Sequence, residues 1–395
     1  MLRFTTAGES HGPGLLVIIE GLPAGLFIDQ DFINQELGRR QQGYGRGGRM
    51  KIESDRVEVL SGVRNNRALG SPVSFLIRNK DHANWRDIMG SGACSQLEEK
   101  AVFRPRPGHA DLTGAMKYGH HDMRNILERA SARETTVRVA AGAVFKQLLG
   151  NFSMDIYSQV LAIGEVSSPG ARVERAGLRE LRRVVENSPV RCADPSSEKL
   201  MIEAIDCARA SGESLGGSFE VGVIGVPPGL GSHTSWEQRL DSRLAAALMG
   251  IQAIKAVEIG EGVANSAAPG SSAHDQIYFS EERGVYRLTN NAGGIEGGMS
   301  NGEVVWARAY MKPIPTLMKP LSSVDTVNWK QEAAVTERSD VCAVPAAAVV
   351  GEAMSAYVIA QAFLEKFGND SIEEIRRNFD GYRQYVRKVW KWEKI

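Results

Sequence analysis

Short segments of β-branched or alternating apolar residues are interleaved with longer helix-like segments along the whole chain. The predicted strands cover Leu15–Glu20, Arg56–Leu60, Pro72–Ile77, Ile156–Ile163, Phe219–Val226 and Val304–Tyr310. The predicted helices cover Gln30–Arg40, Ala132–Leu149, Gly177–Glu186, Ser197–Ala210, Trp236–Met249, Ala346–Phe367 and Ile372–Trp392. Strands and helices do not alternate strictly, which argues against a parallel doubly wound sheet. The pattern predicts an α+β fold with mixed or antiparallel sheets packed against helices.

The chain has no Pro-rich or Ser-rich linker and no internal repeat, so a single domain over residues 1–395 is expected. The apolar stretch Val341–Leu364 contains Pro345, Glu352 and Gln361, which favours a buried core helix over a membrane span. The N-terminus lacks the apolar region of a secretory signal, and the four cysteines are scattered. Both observations predict a cytoplasmic protein.

Acidic and basic residues are balanced, with 47 Lys plus Arg against 47 Asp plus Glu. No global field would draw the protein to nucleic acid or to a membrane surface, so neither is expected as a partner. Any anion binding must therefore be local.

One local concentration of positive charge is the segment Gly38–Arg49, which holds four arginines and five glycines in twelve positions without an acidic residue. Each charge-assisted arginine contact contributes about 1.5 to 3 kcal/mol, so a loop that closes over a small polyanion is favoured. An RNA-binding module is an alternative, although arginine-glycine tails that bind RNA are usually long, repetitive and terminal.

At the N-terminus, Gly8–Gly12 reads Gly-Glu-Ser-His-Gly and fits the Gly-x-Ser-x-Gly pattern of a serine hydrolase. A hydrolase that uses this motif is a second alternative, but only seven residues precede Gly8, too few for the strands that such an elbow follows. Ser10 and His11 can also serve as loop residues that hydrogen-bond an anion.

The segment between Arg104 and Arg138 combines a histidine with several arginines and a helix start. His109 precedes Asp111, which could hold a ring nitrogen or cap the next segment. Ser131 and Glu134 have the spacing of a capping box, which would place an arginine in the first helical turn, where an anion relieves repulsion from the helix dipole. The adjacent pair His120 and His121 faces two directions, and no metal site is predicted.

Three further segments lie toward the C-terminus: a glycine-rich run at residues 290–302, the stiff turn Lys312–Thr316, and the cluster Glu337–Asp340. The glycines favour close approach of backbone to a ligand, and Lys312 presents a cation suited to phosphate.

Seven of these motifs together resemble the chorismate synthase family, in the family's order and over more than 300 residues. They are residues 8–12, 43–50, 106–111, 131–135, 297–302, 311–316 and 337–340. The resemblance implies a β-α-β sandwich-like core, a homotetramer, and a lyase that converts 5-enolpyruvylshikimate-3-phosphate to chorismate and phosphate by 1,4-anti elimination. It also implies reduced FMN as cofactor, with reducing equivalents ultimately from NADPH. No separate nicotinamide fold is visible in the sequence, which favours an external flavin reductase as partner.

The resemblance also implies the site residues. Substrate anions would contact Ser10, Arg40, Arg46, Arg49, Arg106, Arg133 and Arg338. His11 would protonate the departing phosphate, His109 would supply a proton to the flavin, and Asp340 would assist flavin N5. The cofactor would contact Arg129, Ala130, Ser131, Gln252, Ala253, Gly297, Lys312, Pro313, Ile314, Pro315, Thr316 and Arg338. Gln252 stands where members often have Pro or Asn, and Ala130 where many have Ser, so either contact could be made by backbone.

Overall fold

The computed structural model describes residues 1–47, 54–94, 97–336 and 340–393 of the 395-residue chain. The helices are α1 Gln30–Gln41, α2 Arg86–Met89, α3 Asp111–Tyr118, α4 Arg124–Ala130, α5 Thr135–Gly150, α6 Arg175–Asn187, α7 Pro195–Ser211, α8 Leu240–Met249, α9 Gly262–Ala267, α10 Gly270–Ala273, α11 Val344–Phe367 and α12 Ile372–Trp390. The strands are β1 Arg3–Ala7, β2 Gly14–Glu20, β3 Glu58–Ser61, β4 Val63–Arg64, β5 Arg67–Ala68, β6 Val73–Arg78, β7 Asp155–Ile163, β8 Val166–Ser167, β9 Gly217–Ile224, β10 Ile254–Ile259, β11 Ile277–Ser280, β12 Gly284–Arg287, β13 Ile295–Glu296, β14 Met299–Ser300, β15 Val305–Met311, β16 Ser322–Val324 and β17 Gln331–Ala333.

One antiparallel sheet has the strand order β1-β2-β6-β3. Along β2 the side chains alternate, because Leu15, Val17 and Ile19 are buried while Leu16 and Ile18 are exposed. Such alternation is typical of a sheet with one face on the core and one face toward solvent.

A second antiparallel sheet has the order β10-β15-β9-β7-β8. Its central strands β7 and β9 are buried almost throughout, because α11 packs on one face and α6 contributes to the cover of the other. In that outer cover, Leu181 and Val185 of α6 pack with Tyr157 of β7. The burial of both faces explains why these two strands read as continuous apolar runs.

Helices α5 and α11 lie between the two sheets, with α5 packed toward β2 and α11 toward β7 and β9. The two helices approach closely at Gly142, where an added Cβ would stand 2.2 Å from the Cβ of Ala353. This sheet–helix–sheet layering confirms the α+β fold and the sandwich-like core that the family resemblance implies. Among the described residues, α11 is long and apolar enough to cross a membrane, yet 89% of its most apolar window is buried. It is the core helix that the sequence predicted.

All predicted strands and helices are present, and with one exception their ends agree to within three residues. The exception is Trp236–Met249, where a 3-10 turn covers Trp236–Gln238 and α8 starts only at Leu240 because Arg239 has an extended backbone. The prediction of one continuous helix was wrong there.

Four principal elements lack a sequence prediction: β1, β10, α3 and α4. Neither β1 nor β10 forms an apolar run, because β1 holds Arg3, Thr5 and Thr6 and β10 holds Lys255 and Glu258. Helix α3 contains Gly114, a weak helix former. That glycine has a packing reason, since a Cβ there would stand 2.4 Å from the Cγ2 of Ile126 in α4. Tertiary packing of α3 on α4 thus overrides local propensity.

Candidate active site

The segment Gly8–Gly12 lies in the loop between β1 and β2. Its backbone is held by Asn79, whose Nδ2 donates to the carbonyl oxygens of Glu9 at 3.1 Å and Gly12 at 2.8 Å. A nucleophile elbow requires a strand that turns into a helix, whereas this loop joins two antiparallel strands. The local geometry therefore does not support the hydrolase alternative.

The imidazole of His11 is mostly buried and bonded to Glu128 of α4. Nδ1 lies 2.8 Å and 2.9 Å from the two carboxylate oxygens of Glu128, and the backbone N–H of His11 donates to the same carboxylate at 2.8 Å. The ring stacks on Trp85 with a centroid distance of 3.9 Å. Burial alone would raise the pKa of Glu128, but hydrogen bonds from His11 and Arg124 lower it, so the carboxylate is ionised.

Ser10 and Ser131 meet side chain to side chain, with 3.3 Å between their hydroxyl oxygens. The hydroxyl of Ser131 also accepts from the backbone N–H of Arg133 at 3.3 Å, so Ser131 caps the 3-10 turn Ala132–Glu134 that leads into α5. A capping box has a second hydrogen bond, here from the backbone N–H of Ser131 to the Glu134 carboxylate. That part of the prediction was wrong, because the Glu134 carboxylate accepts from Arg138 and Thr6. These two partners hold it toward α5 and β1.

Arg133 was expected to need an anion to relieve repulsion at a helix start. Instead its buried guanidinium donates to Asp55 at 2.8 Å and, through Nε and Nη2, to the amide oxygen of Asn79 at 3.0 Å and 2.9 Å. The protein itself supplies the counter-charge. The sequence analysis did not predict Asn79 or Asp55 as site residues. Asn79 directly follows the buried strand β6, a position that could have indicated a functional side chain.

Arg40, at the end of α1, is buried beside the same carboxylate. Its Nε donates to the hydroxyl of Thr135 at 2.9 Å, and its Nη2 donates to the carbonyl of Ala132 at 3.0 Å. Nη1 lies 3.7 Å from Asp55 Oδ2 and makes no hydrogen bond to the described residues. Burial, opposed by Asp55 and reinforced by the positive charges of Arg46 and Arg133, lowers the pKa of Arg40 to about 9. A bound anion would offset this excess of positive charge.

Arg46 forms an ion pair with Asp340, with 2.6 Å between Nη1 and Oδ2. Asp340 also accepts from the backbone N–H of Gly47 at 2.6 Å, so the arginine-glycine segment is joined to the start of α11. The predicted residues Arg49 and Arg338 lie outside the described residues.

Arg106, His109 and Asp111 form a second compact cluster. The Nδ1 of His109 lies 2.5 Å from Asp111 Oδ1, and Arg106 donates through Nε to Asp111 Oδ2 at 2.8 Å. Of the two roles that the sequence leaves open for Asp111, the structure shows the contact with a ring nitrogen of His109. Burial would raise the pKa of Asp111, but hydrogen bonds from His109 and Arg106 outweigh it and hold the pKa well below the usual value.

The turn Lys312–Thr316 meets this second cluster. Arg106 Nη1 donates to the hydroxyl of Thr316 at 3.0 Å, and Lys312 Nζ donates to the carbonyl of Gly108 at 2.9 Å. Burial and the nearby charge of Lys255 lower the pKa of Lys312. Two segments about 200 residues apart in sequence are thereby brought together.

Arg129, Ala130 and Gln252 are three further predicted cofactor residues. Arg129 Nη2 donates to the carbonyl of Thr6 at 3.0 Å and Nη1 to that of Gly8, so its guanidinium fixes the N-terminal strand. Ala130 is the last residue of α4. Gln252 Nε2 donates to Glu134 at 3.3 Å, while its buried Oε1 has no partner among the described residues.

Next to Gln252, Ala253 adopts a left-handed backbone with φ of 66°, and its carbonyl accepts from the backbone N–H of Lys312. Gly297 lies in the turn between β13 and β14 and has φ of 58°. Beyond it, the backbone pairs Gly231 with Met299 and Leu240 with Gly298, which places this turn beside the start of α8.

A cleft of about 460 Å³ between α1, α5 and α6 contains none of the predicted site residues in its lining. Its charged groups are paired with one another, since Glu352 accepts from Arg39 at 2.8 Å and from Lys146 at 2.5 Å. The clusters around His11 and His109 lie outside this cleft. No group of three or more potential metal ligands occurs among the described residues.

The fold and the two clusters define an α+β enzyme whose buried arginines can bind a small polyanion and whose two histidines, each held by a carboxylate, can move protons. The sequence model of the chorismate synthase family matches residues 2–364. The chain belongs to this family.

Three relatives illustrate the similarity. The chain is 64% identical over 395 residues to the chorismate synthase of Syntrophomonas wolfei, with all of both chains covered. It is 58% identical over 382 residues to that of Alkaliphilus metalliredigens, which covers 97% of this chain and 99% of the relative. A crystal structure of a chorismate synthase superposes with a TM-score of 0.79 at 42% identity, covering 98% of this chain and 99% of the other.

Proposed function

We infer that this protein is the lyase that converts 5-enolpyruvylshikimate-3-phosphate to chorismate and phosphate by 1,4-anti elimination. The observation that carries the inference is the placement of His11. The Glu128 carboxylate contacts one of its ring nitrogens. The neighbouring Ser10 contacts Ser131, two residues before the buried Arg133 that pairs with Asp55. The reaction removes a ring proton and expels phosphate. It needs positive charge for the leaving group and a proton donor beside it.

The chain's arginines supply the positive charge. Among the described residues, Arg40, Arg46 and Arg133 contact the two carboxylates of Asp55 and Asp340, and this concentration of arginines suits substrate anions. Arg106 adds a further guanidinium, and the remaining predicted contacts are Ser10, Arg49 and Arg338. His11 gives its proton to the departing phosphate.

The residues fit a reduced flavin. The buried Oε1 of Gln252, which has no partner among the described residues, can accept from a ligand N–H, and the Lys312 ammonium suits the flavin phosphate. Ala253 is the adjacent predicted contact. When bound, reduced FMN would supply electron density to the allylic system of the substrate. His109, oriented by Asp111, would hold a proton for the flavin, and Asp340 would assist it.

The remaining cofactor contacts in this proposal are Arg129, Ala130, Ser131, Gly297, Pro313, Ile314, Pro315, Thr316 and Arg338. Since the guanidinium of Arg129 is bonded to Thr6 and Gly8, its contribution is to hold the β1 end of the site. NADPH is the ultimate reductant, delivered through an external flavin reductase.

We also propose that residues 1–395 form one domain that assembles as a cytoplasmic homotetramer. A single domain is supported by α11, which contacts elements from both halves of the chain. Association is supported by the outward face of the first sheet, where Leu16 is 38% exposed, Ile18 46% and Leu60 51%.

Anaerobic incubation with reduced FMN and the phosphorylated substrate tests the function. Phosphate and chorismate should appear in equal amounts, with none formed when flavin is omitted. Absence of phosphate release would contradict the proposal. Ester hydrolysis lost in Ser10→Ala would favour the hydrolase, and salt-sensitive RNA affinity lost on trimming residues 43–49 would favour the RNA-binding module. A parallel assay with NADPH plus oxidised FMN tests whether the enzyme needs an external reductase.

A further inference from the structure

We propose that Glu128 is a positioning residue for His11, one that holds a proton on Nδ1 and turns the imidazole so that Nε2 is the nitrogen that transfers the proton. This inference rests on the proposed function for the role of His11. It concerns Glu128, a residue that belongs to none of the seven motifs.

Glu128 fixes both the ring and the backbone of His11. Its two oxygens lie 2.8 Å and 2.9 Å from Nδ1, and one of them also accepts the backbone N–H at 2.8 Å. An ionised carboxylate can only accept, so Nδ1 carries a proton and the tautomer is assigned by this contact. Nε2 is left for exchange with the leaving group.

Glu128 is itself held in place. It is 2% exposed, and Arg124, one helical turn earlier on α4, donates to it at 3.1 Å. The guanidinium carbon of Arg124 also lies 5.2 Å from the ring centre of Trp85, which stacks on His11. Carboxylate, guanidinium and indole thus form a rigid support around one imidazole.

Other charged groups face His11 from the turn at residues 80–84. Asp81 Oδ2 lies 4.0 Å from Nε2, beyond hydrogen-bond range, and His82 Nδ1 lies 2.9 Å from the backbone carbonyl of His11. The ammonium of Lys100 stands 5.9 Å from the Trp85 ring centre. Among the described residues, Glu128 is the carboxylate that contacts the imidazole at hydrogen-bond distance, so it dominates the electrostatic surroundings of the ring.

The proton balance is simple. As the bond between the substrate carbon and the phosphate oxygen breaks, the Nε2–H bond of His11 breaks and an O–H bond forms on phosphate. The Nδ1–H stays in place and Glu128 remains ionised throughout, which is the role of the buried carboxylate in histidine–carboxylate pairs.

The test uses Glu128→Gln, which keeps the shape but removes the charge, and Glu128→Asp, which keeps the charge on a shorter side chain. Glu220→Gln is the matched control, because Glu220 is 1% exposed and paired with Arg308 on the second sheet. Two quantities are measured: kcat and KM from pH 6 to pH 8, and the nitrogen-15 shifts of the His11 ring in the protein without substrate.

We expect Glu128→Gln to lower kcat by about 10- to 100-fold, with KM changed less than threefold. Glu128→Asp should recover at least half of the logarithmic loss. The nitrogen-15 shifts should place a proton on Nδ1 in the wild-type ring and show a weaker preference for that nitrogen in Glu128→Gln. An equal loss in kcat and KM, or an unchanged ring spectrum, would refute the proposal. The ring measurement needs no turnover, so it separates failure of this inference from failure of the proposed function.

Discussion

Arg39 and Arg40 are consecutive in α1, yet their guanidinium groups enter different charge clusters. Arg39 donates to Glu352 of α11 through Nη1 at 2.8 Å and Nη2 at 2.9 Å, whereas Arg40 donates to Thr135 at 2.9 Å. Successive positions on a helix are about 100° apart, so one residue braces the helix while the next faces the proposed substrate site. The last turn of α1 therefore connects the core of the fold to the site.

The two arginines should respond differently to neutral replacement. Arg40→Gln should raise KM for the phosphorylated substrate by about 10- to 100-fold, since one charge-assisted contact is lost. Arg39→Gln should instead lower the free energy of unfolding by about 3 kcal/mol, because Glu352 loses a buried partner. Steady-state kinetics and urea denaturation of both variants measure this contrast. Equal effects of the two on KM would contradict it.

The two histidines should be essential for turnover but not for binding. His11→Ala and His109→Ala should each lower kcat by about 10² to 10⁴-fold while FMN binding remains measurable by fluorescence titration. His233→Ala serves as a control, since His233 lies in the turn before the 3-10 segment that precedes α8. Full activity in either site variant would remove that histidine from the mechanism.

Lys312 should contribute to flavin affinity through its charge. Lys312→Gln should raise the Kd for FMN by about tenfold but change the Kd for riboflavin, which lacks the phosphate, less than twofold. Lys319→Gln is the control, because Lys319 is 73% exposed and pairs with Glu213 at 3.8 Å. An equal loss of affinity for both flavins would place the ammonium away from the phosphate.

Asp111 should make stability depend on acid. Its pKa is lowered in the folded protein, so the carboxylate stabilises the fold above its unfolded pKa of about 4, and this stabilisation is lost as the pH falls through the lower folded-state value. Wild-type stability should therefore drop more steeply than that of Asp111→Asn from about pH 5 downward. Urea midpoints at pH 7, 5, 4 and 3 give the comparison, and parallel curves would show that Asp111 is not responsible.

The close contact of α5 with α11 should limit side-chain size at Gly142. Gly142→Ala would place a Cβ 2.2 Å from that of Ala353 and should cost about 1 to 3 kcal/mol of stability. Gly150→Ala, at the end of the same helix, meets no atom within 4 Å and should be neutral or slightly stabilising. Thermal unfolding of the two variants distinguishes a packing requirement from a general effect of replacing glycine.

The sequence by itself determined the α+β class, most helix and strand positions, the buried character of α11 and the family. The class and the element positions follow from local periodicity and capping residues, which a short window of chain contains, and the family follows from the order of motifs along the whole chain. His109 with Asp111 was also within reach, because the two are separated by one residue.

Tertiary structure alone decided which partners neutralise the charges. Glu128, Asn79 and Asp55 reach His11 and Arg133 across 54 to 117 residues of chain, distances at which no spacing rule operates. The prediction that Arg133 awaited an external anion was incomplete for this reason: the buried guanidinium must be paired in the folded protein itself. Packing of two sheets around α5 and α11 brings those partners together. Packing of α3 on α4 likewise made a helix of α3 despite Gly114.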